Sequence, residues 1–373
     1  MKKSAATDRC TARSILPKSQ VVTGDFVQLT AQRPRDTVPL GEKCGLIFLS
    51  PMNKIWTTLG PALLAMLAMH ASAQNYPTKP IRMVVPFAPG GTGEFLSRSI
   101  TPRMGELIGQ QFIVDFRGGA GTTLAAGLVA SAPADGYTVL IQSISTQAIN
   151  HSLYSTLSYD TRKDFAPVGL IAVIPVVLAA HPSLPARNAK ELAALSHARA
   201  GRIDFASPGI GTTAHFGIEL FKLVSKADLT HIPYKGAGPA TVDAMAGFVP
   251  LVTDNITSLK PHIDSGKLRG IAIGSAQRSE AAPQLATFAE SGYPGFEASS
   301  WWGILAPART PATIITRLNS ELNKALEDSA VRSRLLTHGA TIKSGTPAQA
   351  TELMMSEIEK WAKVVKATGA RVD

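Results

Sequence analysis

Beyond Cys44 the chain has no cysteine, and the other one, Cys10, lies earlier still. Thiol catalysis and thiolate metal sites are therefore excluded from everything after residue 44, and that part needs neither a reducing nor an oxidising compartment. Charge is also scarce, with 17% of residues charged against 45% apolar. That balance supports a well-buried core and excludes a disordered chain. The eight histidines are scattered, and no two stand four apart. No metal site is expected from them, and no cofactor.

Enzyme motifs are missing as well. Gly119-Ala120-Gly121 has Leu124 where a dinucleotide fingerprint needs its third glycine, and no phosphate-loop run exists. Around Ser207 a Gly-x-Ser-x-Gly elbow fails, because Phe205 occupies the first glycine position. The formal charge of +10 is uneven: residues 1–73 hold nine Lys/Arg and four Asp/Glu, leaving a mild excess over the rest. No basic block with interleaved aromatics stands out, so no nucleic-acid partner is expected.

At 373 residues the chain is long enough for more than one domain. Residues 1–51 show no sustained apolar period and read as a mistaken upstream start or a disordered leader, outside the fold. Residues 52–73 read as a signal peptide: Lys54, then the short apolar run Leu59–Met69, then Ala71-Ser72-Ala73. Cleavage after Ala73 would start the mature chain at Gln74 and place it in the periplasm.

From Ile81 onward strand-like and helical segments alternate. Ile81–Phe87, Phe112–Asp115, Tyr137–Ile141, Val173–Ala180, Arg202–Ala206, Leu229–Pro233, Leu251–Thr253, Leu268–Gly274 and Ser299–Ala306 read as strands. Helices are expected near 94–107, with Pro102 kinking or splitting the first, and near 123–131, 214–224 and 239–246. In the third of these, Phe216, Leu220, Leu223 and Val224 keep one apolar face. Leucines every four residues from Ile314 to Leu326, and Leu353, Ile358, Trp361 and Val365, predict C-terminal helices. The alternation predicts an α/β fold with parallel sheets covered by helices.

Three glycine-rich turns stand between a strand and a helix: residues 87–93, 206–213 and 234–239. Each would present free N–H groups and the positive end of a helix dipole, which together cradle an anion. Ligands in such folds bind beyond the carboxyl ends of the strands, where these turns lie. Position alone nominates Gly90, Gly91 and Thr92 from the first turn, and Ser207, Gly211, Thr212 and Thr213 from the second. Ser145 and Thr146 follow the third strand, Tyr234 and Lys235 would close over the ligand, and Asp254 would receive an amine or cap a helix. His215 and Trp301 are read as packing residues.

The segments Tyr76–Arg82, Val85–Gly91, Pro133–Thr138, Lys163–Val168, Gly209–Thr212 with His215, Pro233–Gly236, Ser300–Gly303 and Leu305–Pro307 resemble, in order, the tripartite tricarboxylate transporter substrate-binding proteins, also called Bug receptors. The resemblance runs from about Tyr76 to the C-terminus. It implies a two-lobed periplasmic-binding-protein fold of type II kind, with two crossing strands and a ligand cleft between lobes. Lobe 1 would be discontinuous, residues 74–174 plus 297–373, and lobe 2 would be 175–296, with crossings near Val173–Pro175 and Glu297–Ser299. It also implies a monomeric receptor that captures a small carboxylate and delivers it to a membrane permease, with no chemistry of its own. A subunit presenting its ligand to a sensor kinase and a secreted α/β enzyme are the alternatives. The sequence departs from the family at Glu94, where Asp is usual, at Phe116 and Thr122, and at Ser145-Thr146-Gln147. Phe87 in the first turn would suit an apolar or aromatic carboxylate.

Overall fold

The computed structural model describes residues 76–199 and 203–372. The leader and signal-peptide expectations, and the expected start of a strand at Arg202, lie outside the described residues. Strand β1 (Ile81–Val85) leads through the first glycine turn into α1 (Thr92–Ile108), followed by β2 (Phe112–Phe116), α2 (Thr123–Ala130) and β3 (Thr138–Ser143). β1 pairs in parallel with both β2 and β3. This is the arrangement that strand–helix–strand alternation produces, because a parallel pair needs a crossover. α3 (Ile144–Leu153) leaves the end of β3 without a loop.

β4 (Phe165–Ala180) carries no charged residue in sixteen positions and is the longest strand. It changes partners along its length. Phe165–Pro175 pairs with the strand Ser299–Pro307, whereas Val176–Ala180 pairs with Leu251–Asn255 and Arg269–Ile273. Between these partners run α4 (Ala189–Arg199), β5 (Asp204–Ser207), α5 (Thr213–Ser225), β6 (Thr230–Pro233), α6 (Ala237–Met245), β7 (Leu251–Asn255), α7 (Ile256–Asp264) and β8 (Arg269–Ile273). After an irregular stretch come β9 (Ser299–Pro307), α8 (Ala312–Glu327), α9 (Ser329–Thr337), β10 (Thr341–Ile342) and α10 (Pro347–Thr368).

Two lobes result. The first is built on the order β2-β1-β3-β9-β4 with β10 on the other side of β4, and the second on β4-β7-β5-β6 with β8 beside β4. β5 is parallel to β6 and β7, so the carboxyl ends of β5, β6 and β7 face one way. The two lobes share β4, and β9 runs beside it up to the change of partners.

One apolar cluster runs across both lobes, joining Leu96 and Trp302 to Val252 and Leu259, and each lobe has further apolar filling beside it. Phe205, Phe221, Phe288 and Phe296 pack together in the second, and Phe165, Trp361 and Ile358 in the first. Each large side chain so buried contributes about 1.5–3 kcal/mol. α10 is well specified at both ends. Thr346 and Gln349 form a reciprocal capping box, Pro347 sits in the first turn, and Gly369 closes the helix at φ 65°.

Two local expectations are corrected. α1 runs unbroken from Thr92 to Ile108 with Pro102 inside it, so the proline does not split the helix. Its packing against α8 and α9 outweighs the one backbone hydrogen bond that proline removes. In α5 the buried residues are Thr213–Ile218 and Phe221, while Leu223 and Val224 are exposed. The apolar period therefore does not mark burial in the last turn.

Candidate functional site

The N-termini of α1, α3, α5, α6 and α7 converge on one cavity between the lobes. Its walls are Phe87, Gly91, Thr92 and Gly93; Ser143 and Thr146; Pro208, Thr212, Thr213 and Ala214; Ala237; Asp254 and Asn255; and Ser300 and Trp302. It encloses about 320 Å³ of empty space, its open mouth included. The convergence follows from topology: every contributing helix follows a strand whose carboxyl end points at the cleft.

Local capping satisfies only some of the donors there, the Thr92 N–H being taken by Asp254 and the Thr213 N–H by Thr146. Gly91 and Gly236, which precede α1 and α6, and Asn255, which precedes α7, make no side-chain cap. Ser143 and Thr212 satisfy only one amide each, those of Thr146 and His215. The remaining first-turn N–H groups are the positive end of each helix. No lysine or arginine lines the cavity, and Asp254 is its one charged side chain.

Hydroxyls stitch the lobes together around it. Thr213 Oγ1 lies 3.1 Å from Thr146 Oγ1 and 3.2 Å from Ser143 Oγ, and Thr146 Oγ1 accepts from the Thr213 N–H at 3.2 Å. Thr92 Oγ1 reaches Thr257 Oγ1 at 2.9 Å and donates to Asp254 Oδ2 at 3.3 Å. Backbone meets backbone where the Ala88 N–H donates to Lys235 O at 2.8 Å. Burial pushes the Asp254 carboxyl up to about 6, although donors from Ser258, Asn255 and Thr92 oppose the shift.

Of the residues nominated from sequence, the cavity wall gathers Phe87, Gly91, Thr92, Thr146, Thr212, Thr213 and Asp254. The others are placed around it. Gly90 donates its N–H to Glu94 Oε2 at 2.7 Å, and Glu94 also accepts from Arg98, so Glu94 folds back on its own turn. Ser145 turns to the opposite side, donating to Glu357 and accepting from the Trp301 N–H at 3.3 Å. Ser207 is fully buried, with Oγ 2.6 Å from His231 Nε2. Gly211 is packed against Asn150, leaving no room for a side chain. The Tyr234 hydroxyl donates to Asp243 at 2.7 Å, and the Lys235 side chain is exposed.

His215 is buried and stacked on His231 with ring centroids 3.9 Å apart, as a packing residue would be. Trp301 packs against the first lobe's core. Its neighbour Trp302 is the one in the cavity wall, 2% exposed, with no partner for its indole N–H among the described residues. Strand alternation separates the two tryptophans, and that was the available signal. Asn255 and Ser300 were not nominated either. The Asn255 amide donates to Ser300 Oγ at 2.9 Å and to Ile174 O at 3.0 Å, tying β7 to both crossing strands.

Residues 96–370 match the family described as tripartite tricarboxylate transporter family receptor. The chain is similar to the protein BugT of Bordetella pertussis, 39% identical over 82% of this chain and 94% of that one. Among solved structures it is similar to an R. palustris protein with adipate, at 36% identity and a TM-score of 0.77, covering 80% of this chain and 100% of the other. It is also similar to MatC from Rhodopseudomonas palustris with bound malate, at 33% identity and a TM-score of 0.75, covering 78% and 100% respectively.

Proposed function

The chain belongs to the tripartite tricarboxylate transporter receptor family, and from that premise we propose that it captures a small dicarboxylate in the periplasm and hands it to a membrane permease. One observation carries the choice of ligand: five helix N-termini meet at a cavity with no basic side chain. Main-chain donors and hydroxyls recognise a carboxylate through directed hydrogen bonds, without the strong ion pair that would slow release. The similar proteins solved with adipate and with malate support a ligand carrying two carboxylates.

We assign ligand contact to Gly91, Thr92, Thr146, Thr212, Thr213 and Trp302, all in the cavity wall. We place the described residues 76–174 and 297–372 in lobe 1, and 175–199 and 203–296 in lobe 2. The change of β4 partners between Pro175 and Val176 supports that boundary. The receptor has no catalytic role in this reading. The Ser207–His231 pair, the nearest thing to a nucleophile and base, lies beneath the second turn and not in the cavity wall. Export is supported by the family, and no helix of the described residues is long and apolar enough to cross a membrane.

A thermal-shift screen against C4–C8 dicarboxylates tests the proposal. A ligand at a hundred times its dissociation constant raises stability by about 2.7 kcal/mol. A saturable rise with the acid recovered unchanged is expected. A flat response to every carboxylate, or consumption of the acid, would overturn it.

A further inference from the structure

The only charged side chain in the cavity wall is an acid, although the site is built for an anion. Asp254 sits at the end of β7 in the second lobe, yet its carboxyl lies at the N-terminus of α1 in the first. It accepts from the Thr92 hydroxyl at 3.3 Å and from the Thr92 backbone N–H, and its Oδ2 lies beside Gly91. It also accepts from Ser258. Gly91 provides no side-chain cap of its own for α1. Asp254 therefore holds the position at the helix end that a ligand carboxylate would seek.

Among the described residues no cation offsets this carboxyl. Around it, Glu94 and Arg98 of α1 pair with each other, as do Glu219 and Lys222 of α5 and Lys260 and Asp264 of α7. Asp243 of α6 holds Tyr234, and His215 of α5 is stacked on His231. Arg103, Glu106 and His262 lie about two to four turns along their helices. Asp204 stands at the far end of β5, and β4 and β9 carry no ionisable side chain. Two carboxylates at one buried helix end repel strongly unless one carries a proton.

Resting on the dicarboxylate reading above, we propose that capture is proton-linked: Asp254 takes up one proton as a dianionic ligand enters. Its protonated carboxyl then donates a hydrogen bond instead of opposing the ligand. Burial already biases the group that way, raising it to about 6 before any ligand arrives. Capture is tighter in an acidified periplasm and weaker above neutrality.

Calorimetry of malate and adipate binding to the full chain at pH 7.5, in phosphate and in Tris, reads the proton directly. An uptake of about one proton per ligand is expected, with the dissociation constant rising about tenfold from pH 7 to pH 8. Asp254→Asn should bind with no proton uptake and a flat pH profile. Wild-type binding with equal heats in the two buffers overturns the proposal whether or not the variant folds, as does uptake that persists in Asp254→Asn. Absence of binding by both acids from pH 5.5 to 8 overturns the dicarboxylate reading with it.

Discussion

His215 and His231 stack at 3.9 Å beneath the second glycine turn, with Phe205 against both rings. Burial, with Lys222 nearby, holds His231 down at about 4; burial, then His231 and Lys222, holds His215 at about 2. An unfolded chain protonates both near 6.5. As pH falls from 6.5 toward 4 the unfolded state gains protons that the folded state refuses, so stability is lost, by at most about 1.4 kcal/mol per pH unit per histidine. Asp254, raised to about 6, acts in the opposite sense between pH 6 and 4 because there the folded state binds the extra proton. His151 and His262, also lowered by burial, act in the same sense as the stacked pair, so the histidines against one aspartate leave a net loss. The unfolding free energy should therefore fall between pH 6 and 4.5, and His231→Gln should make that slope measurably shallower. A slope unchanged in the variant would mean that other groups set it.

Side-chain direction separates two adjacent candidates. Ser145 and Thr146 were legible as polar residues after a strand, but the sequence did not reveal that α3 starts at once. In a helix, consecutive side chains point about 100° apart, so Thr146 meets Thr213 while Ser145 turns to Glu357. Glu357 is 4% exposed and also accepts from the Trp361 indole at 2.8 Å. Ser145→Ala should destabilise the fold by about 1–3 kcal/mol, since a buried carboxylate loses a donor, and leave ligand affinity unchanged. Weakened affinity at unchanged stability would place Ser145 in the site after all.

At the scale of elements, what was legible depended on which faces were covered. Strands of the two sheets announced themselves as apolar runs, and the C-terminal helices as leucines every four residues. α3 did not, because α10, β9 and neighbouring elements cover it so fully that polar Ser145, Thr146, Gln147 and Asn150 are all buried. A helix enclosed on all sides loses the polar stripe that sequence patterns rely on. α7 was missed for a related reason: Pro261 interrupts its sequence pattern, yet the helix runs through it from Ile256 to Asp264. The three glycine turns were legible because the residues they require are the signal. The two helix ends that complete the ring, those of α3 and α7, had no glycine to mark them. Three of the five helix ends were thus marked by their turns, and the other two depended on how strands β3 and β7 end.

At the scale of the whole molecule, the lobes meet through a backbone seam as well as through the side chains around the cavity. A Cβ at Gly238 would lie 2.0 Å from Pro89 O, one at Gly118 2.6 Å from Lys235 O, and one at Gly121 2.2 Å from Ile210 O. Such a seam exists only while the lobes are together, and it brings both sets of helix ends onto one ligand. Gly121 is held at φ 57°, so a substitution there strains its own loop. Gly238 sits inside α6 with an ordinary backbone, where alanine is the better helix former. Gly238→Ala should therefore leave the melting temperature of the ligand-free protein within a few degrees of wild type. It should weaken dicarboxylate binding by about tenfold or more, because affinity falls with the fraction of molecules able to close. Calorimetry beside a melting curve separates the two effects. An unchanged dissociation constant would show that the ligand is held without the lobes meeting along this seam.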